Sequence, residues 1–247
     1  MKLLVGSFYQ FPCPIFLLLI QNITSIVIFK LLSLNGKIQV EAIDWTKVFY
    51  WFPLNLLFVI MLTTSSLGMK YLSVAMVTIF KNIQTICVAL GDYLLFEEPL
   101  GKGSALSVIV MLVGSIIAGY NDLEFHTLGY FWILVNCFSG ASYLLVMKKL
   151  TSTSKLSHLS MAYYNNTLSL PFLCIMIILN GELQLMFKYE TWEKDFNFWV
   201  ILIINILIGS NMTLCVFWMI KETSPTTYSI VGAINKIPLT VLGIWVF

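Results

Sequence analysis

A polytopic bundle of membrane-spanning helices is the fold class this sequence predicts, and three observations predict it. Of 247 residues, 59% are hydrophobic and 11% are charged, against a charged share of about 25% in soluble domains. Mean hydropathy is +0.88. The apolar segments run to about 20 residues without strict alternation, the length a helix needs to cross a ~30 Å hydrocarbon core, whereas barrel strands alternate over about ten residues. The expected class is therefore all-α.

The spans follow in order. Lys2 and the apolar run after it imitate a signal peptide. The run continues past Gln21 and Asn22 to Phe29 with no small-residue cleavage site, so a retained helix is expected over 12–33. Polar Leu34–Lys47, with Gly36 and Asp44, leads to a span at 48–67, and the next covers 71–95. The stretch Glu97-Glu98-Pro99-Leu100-Gly101-Lys102 turns the chain into 103–120. An acidic Asn121–Thr127 precedes 128–147, and a basic, Ser/Thr-rich Lys148–Ser157 precedes 158–180. After the mixed segment Asn180–Phe196 come 197–220 and 224–247. These eight spans have connections too short to separate soluble domains, so residues 1–247 are expected to form one membrane domain.

Lysine placement orients the bundle. Lys30, Lys37, Lys47, Lys102, Lys148, Lys149, Lys155 and Lys221 fall on one side, and Lys2, Lys70, Lys188 and Lys194 on the other. The richer side is expected to be cytosolic, which starts the chain on the opposite side.

Composition also excludes. Net charge is +2 and no arginine is present, so nucleic acid is not an expected partner and any phosphate contact must be an ammonium point charge. The cysteines (Cys13, Cys87, Cys137, Cys174, Cys215) lie apart within apolar segments, without redox or metal spacing. The glycosylation patterns at Asn22, Asn165 and Asn211 sit inside predicted spans. No phosphate-binding loop, zinc motif or nucleophile elbow occurs, and His126 and His158 have no partner at ligand or triad spacing. No enzyme activity, cofactor or metal is expected.

Polar residues inside the spans carry the functional signal. Tyr228, Gly232, Asn235 and Lys236 fall at i, i+4, i+7 and i+8, one face of a helix. A charge at bilayer depth costs roughly 2.5–3.5 kcal/mol on insertion scales, so an intramembrane lysine marks a functional site by default. Lys236 lies too deep in its span to reach the headgroups easily, and Pro238 frees the Ile234 carbonyl beside it. The face is expected to bind an anion. Lys81-Asn82 echoes Asn235-Lys236 five spans earlier. A repeat of odd helix number inserts its second copy upside down, and 12–120 and 128–247 are the expected halves. Lys81 reads either as a second ligand or as a gating or packing residue, with Asp92 as a potential ion-pair partner. Tyr163-Tyr164-Asn165-Asn166 brings two carboxamides, each donor and acceptor, which suit a nucleobase edge. Their other use is hydrogen bonding between helices, worth about 0.6 kcal/mol per contact. Thr213 either adds a hydroxyl to that pocket or packs.

These residues resemble a known family. Gly232-Ala233-Ile234-Asn235-Lys236 is similar to the G-A-L-N-K motif of the Golgi GDP-mannose transporters, nucleotide-sugar transporters of the drug/metabolite transporter superfamily. Tyr163-Tyr164-Asn165-Asn166 is similar to their F-Y-N-N motif, and Thr78-Ile79-Phe80-Lys81-Asn82 with Gly91-Asp92 resembles family sequence as well. The resemblance covers nearly all of 10–247. It implies a ten-helix fold of two inverted five-helix halves, here without the first and last helices, so the domain is expected to be incomplete. It implies exchange of cytosolic GDP-mannose for lumenal GMP in the Golgi membrane, the endoplasmic reticulum or another secretory membrane being the alternative. It also implies roles: Asn165 and Asn166 on the guanine with Thr213 at a hydroxyl position, Tyr228 and Asn235 toward the sugar, and Lys236 on the phosphates, with Tyr164 and Gly232 expected among the substrate-binding residues. Partners are then GDP-mannose, GMP and membrane lipid, with a homodimer left open. The alternatives are a carrier of GDP-fucose or a UDP-sugar, or a truncated membrane protein that transports nothing.

Overall fold

Nine helices and no strand occur among the described residues of this computed structural model, which are 13–36, 39–41, 43–69, 71–72, 74–97, 101–120, 126–154, 156–188 and 195–235. In order they are α1 (Pro14–Leu34), α2 (Trp45–Met69), α3 (Val74–Phe96), α4 (Lys102–Tyr120), α5 (Thr127–Thr153), α6 (His158–Leu179), α7 (Glu182–Lys188), α8 (Phe196–Glu222) and α9 (Pro225–Ile234). Six of them, α1, α2, α3, α5, α6 and α8, are long and apolar enough to cross a membrane, and α4 holds a shorter apolar stretch over Lys102–Ile117. The protein is a polytopic membrane helix bundle. Exposed Ile203, Ile204, Leu207, Ile208 and Met212 on α8 are what lipid contact requires. Residues 236–247, the remainder of the expected last span, lie outside the described residues.

Helix starts follow local chemistry. Ser157 caps α6 by accepting from the Ser160 N–H at 3.2 Å, and Ser224 caps α9 by accepting from the Thr227 N–H at 3.1 Å. Pro225 then takes the first helical position, where no N–H is needed. Two segments depart from the sequence expectation. The mixed connection after α6 contains α7, entered through Gly181 at φ 68°, with Glu182 in its first turn and Lys188 in its last. Helix α5 does not stop at residue 147 but runs through Lys148 and Lys149 to Thr153. Lys148 is therefore a buried helix residue and not a loop lysine. Its Nζ donates to Asp92 Oδ1 at 2.8 Å and lies 4.4 Å from the Phe96 ring centroid.

The chain divides into two interleaved compact units, Met1–Asn55 with Lys155–Trp218, and Leu56–Ser154 with Met219–Phe247. In the first unit α1 packs along α6, and α6 meets α7. Trp51 and Phe217 are fully buried with ring centroids 5.5 Å apart, and Cys13, Leu17 and Phe198 form a second cluster. Glu182 closes one end. Its carboxylate accepts from the Ile15 and Phe16 N–H groups at 3.1 and 2.9 Å, placing negative charge at the N-terminus of α1. Burial pushes the Glu182 carboxyl up from the usual range, and those two N–H bonds pull against that shift.

In the second unit α3 packs against α4, α5 and α9. Leu72, Met76, Val77, Phe80, Ile133 and Cys137 make its apolar core. At the end of α3 a carboxylate gathers two further helices. Asp92 receives the Lys148 ammonium from α5 on one oxygen and the Thr226 hydroxyl from α9 on the other, the latter at 2.8 Å. The Thr226 N–H also points to that second oxygen, at 3.4 Å. Asp92 is 3% exposed and Lys148 8%, so each charge depends on the other for compensation.

Candidate functional site

A cavity of about 370 Å³ opens within the second unit, near the lower end of the size range typical of ligand pockets. Helix α3 gives it Lys81, Gln84 and Thr85, at i, i+3 and i+4 on one face. Helix α9 gives Tyr228, Ser229, Gly232 and Ala233, α5 gives Asn136 and Leu144, and α2 gives Met61, Leu62 and Ser65. Two of the polar groups are tied to the walls. Ser229 Oγ donates to Thr85 Oγ1 at 2.8 Å, and Thr85 donates on to the Lys81 carbonyl at 3.2 Å, which joins α9 to α3. Asn136 Nδ2 donates to the Met61 carbonyl at 2.6 Å and to Thr64 Oγ1 at 3.2 Å.

Lys81 is the one charged side chain among the described residues that line the cavity, and it takes part in no ion pair among them. The sequence left Asp92 open as its partner. Asp92 instead pairs with Lys148, eleven residues and so about 16 Å further along α3. An ammonium facing a cavity with no carboxylate beside it calls for an anionic ligand.

The other expected residues divide clearly. Tyr228 and Gly232 line this cavity with Lys81, and a Cβ built on Gly232 would meet nothing within 4 Å. Among the described residues Gly232 thus leaves open space and seats no neighbouring helix. Asn82 is half-buried beside Lys81 and is not part of the lining. Asn235 is exposed and ends α9, its N–H bonded to the Val231 carbonyl at 2.9 Å. Lys236 lies outside the described residues.

Tyr164, Asn165, Asn166 and Thr213 belong to the first unit. Tyr164 is fully buried, its hydroxyl accepting from the Asp44 N–H at 2.9 Å. Asn166 donates from Nδ2 to Ser25 Oγ on α1 at 2.7 Å. One turn on, Ser169 donates to Asn55 Oδ1 at 2.9 Å. The carboxamide oxygens of Asn165 and Asn166 are buried and have no hydrogen-bond donor among the described residues. Thr213 is half-buried on α8.

Gln84, Thr85, Asn136 and Ser229 were missed by sequence reasoning. A signal was available. Gln84 and Thr85 stand one turn from Lys81 inside the same span, so phasing every polar residue of that span on Lys81 finds both. Asn136 is an isolated amide whose position at the cavity depends on the register of α5 against α2, which periodicity does not carry.

Membrane-spanning helices around a lysine-lined cavity suit a carrier, and the chain is similar to known transporters. The EamA-like transporter family matches residues 127–247. The chain is 35% identical to the GDP-mannose transporter GONST2 of Arabidopsis thaliana, over 99% of its own length and 67% of that protein. It is 36% identical to GONST1 of the same plant, over 98% and 75%, and 34% identical to a GDP-mannose transporter of Meyerozyma guilliermondii, over 100% and 73%. The chain belongs to the GDP-mannose transporter family.

Proposed function

We propose that this protein carries GDP-mannose from the cytosol into the Golgi lumen in exchange for GMP, by alternating access of one binding site. The observation that carries the reading is the Lys81 ammonium, unpaired by any carboxylate among the described residues, in a cavity shared with Tyr228 and Gly232, in a chain whose relatives bear the name GDP-mannose transporter.

In this reading Lys236 and Lys81 neutralise the diphosphate, Tyr228, Gly232 and Asn235 face the sugar side, and Asn82 supports gating beside Lys81. Asn165 and Asn166, with Tyr164 and Thr213 behind them, take the guanine. Their unpartnered carboxamide oxygens are acceptors, and the base offers the matching donors at its N1–H and N2 amino group. Those oxygens are covered here, so the base reaches them only in a conformation in which α6 is uncovered.

The inverted-repeat reading has support of its own. The pairs α1 with α6 and α3 with α9 are in contact, and each joins spans five apart when the short α7 is set aside. An odd separation is what an upside-down second copy produces.

The test is exchange in proteoliposomes. Vesicles loaded with GMP are expected to take up labelled GDP-mannose, with competition by external GMP and none by UMP. Lys236→Ala is expected to abolish this exchange while the protein still reconstitutes. Uptake of a UDP-sugar competed by UMP would overturn the substrate, and wild-type exchange by the lysine variant would overturn the phosphate role.

A further inference from the structure

Gln84 stands one turn from Lys81 on α3, and its side chain faces the same cavity. Thr85, Ser229 and Asn136 are engaged with neighbours. The Gln84 carboxamide makes no hydrogen bond to any described residue. A carboxamide within a membrane span normally finds partners, because nothing in lipid supplies them. This one offers two donor hydrogens and an acceptor oxygen to whatever fills the cavity.

A glycine on α5 leaves room for this carboxamide. A Cβ built on Gly140 of α5 would fall 2.6 Å from Gln84 Nε2 and 2.8 Å from Cδ. The carboxamide occupies the space that any other residue at 140 would claim, so the missing side chain at Gly140 is a seat for it. Gly140 adjoins Gln84 while Asn136, one turn earlier on α5, lines the cavity. The seat lies beside the cavity wall, one turn from Asn136.

The chemistry separates two adjacent subsites. Lys81 takes an anionic oxygen, which only accepts hydrogen bonds. Gln84 lies on the neighbouring turn, about 5–6 Å away at the Cβ positions. A second phosphate oxygen there would use its donors and leave the amide oxygen unpaired. A hydroxyl both donates and accepts and can pair with either end of the carboxamide, so two neighbouring hydroxyls of a sugar engage both ends. We propose that Gln84, seated on Gly140, is a sugar-hydroxyl contact that fixes which glycosyl group the cavity accepts. This rests on reading the cavity as the sugar-phosphate side of the carrier.

The experiment compares the KM for GDP-mannose with that for GMP in reconstituted full-length protein. Gln84→Met keeps the side chain's bulk and removes the amide. It is expected to raise the KM for GDP-mannose about tenfold, roughly one hydrogen bond's worth, and the KM for GMP less than twofold. Gly140→Ala, which unseats the carboxamide, is expected to give the same split. The double variant is expected to be no worse than Gln84→Met alone, since methionine's flexible end can give way to the added methyl. A parallel rise for both ligands would assign Gln84 to the phosphates or to cavity shape and overturn the proposal, as would no change for either. Should Gly140→Ala fail to fold, the Gln84→Met comparison decides alone. Wild-type exchange of GDP-mannose with an indifferent Gln84→Met sinks this inference and spares the proposed function. A wild type that takes up no GDP-mannose sinks both.

Discussion

The first unit's polar seam and the second unit's cavity both place amides and hydroxyls inside membrane helices, yet they use them in opposite ways. In the seam, Ser25 is joined to Asn166 and Asn55 to Ser169, each pair linking two helices. In the cavity, the Lys81 ammonium and the Gln84 carboxamide find no hydrogen-bond or ion-pair partner among the described residues. Polar groups that bond across helices hold a bundle together. Groups left facing a cavity add nothing to the fold and cost insertion energy. Substitutions should therefore separate: the seam is expected to report in stability and the cavity in transport.

The largest effect calibrates the comparison within the second unit itself, where Lys148 and Lys81 both lie inside spans. Lys148 is paired with Asp92, and Asp92 also holds Thr226 at the start of α9. Asp92→Ala strands a buried ammonium, and removal of one partner of such a pair costs about 3–5 kcal/mol. Thermal unfolding in detergent is expected to show a clear fall in Tm. Replacing both charges, Asp92→Leu with Lys148→Met, is expected to recover much of it. An unchanged Tm in Asp92→Ala would mean that the clamp does not hold the helices.

Lys81 is the converse case. Lys81→Met removes a charge that no carboxylate among the described residues compensates, so unfolding is expected to be unchanged or shifted upward. Exchange is expected to fall on the order of 10–100-fold, the value of a hydrogen bond to a charged group at about 1.5–3 kcal/mol. Gain of stability with loss of function is the pattern of a site residue. Loss of both in parallel would return Lys81 to the fold.

How much of this could be read from the chain depends on the range of the interaction. Helix positions were legible because burial in lipid writes itself into local hydropathy: the span expected at 158–180 is α6, His158–Leu179, and that at 103–120 is α4, Lys102–Tyr120. The end of α5 was not legible. Lys148 reads as a loop lysine until Asp92, 56 residues earlier, is brought against it. Within the site, Lys81, Tyr228 and Gly232 were legible because a charge or a small residue at depth is conspicuous one residue at a time. Gln84 was not, since its meaning lies in Gly140 across the α3–α5 contact. The interleaving of the two units is likewise a property of contacts between distant segments, and no local pattern encodes it.

The smallest effect tests the seam where it meets the proposed base site. Ser25 accepts from Asn166 Nδ2, and Ser25→Ala leaves that buried donor without an acceptor. The cost is expected to be about 1 kcal/mol, near the lower end for an unsatisfied buried group because a helix in a membrane readily finds substitutes. Tm is expected to fall by a few degrees, and Ser25→Thr, which keeps the hydroxyl, to restore most of it. The KM for GMP is expected to move about twofold at most, because Ser25 holds the donor end of the carboxamide while the base is assigned to the oxygen. A tenfold loss of GMP affinity at unchanged Tm would reverse that assignment. The seam would then be the binding surface itself, and the Ser25 hydroxyl a group that meets the ligand or holds Asn166 toward it.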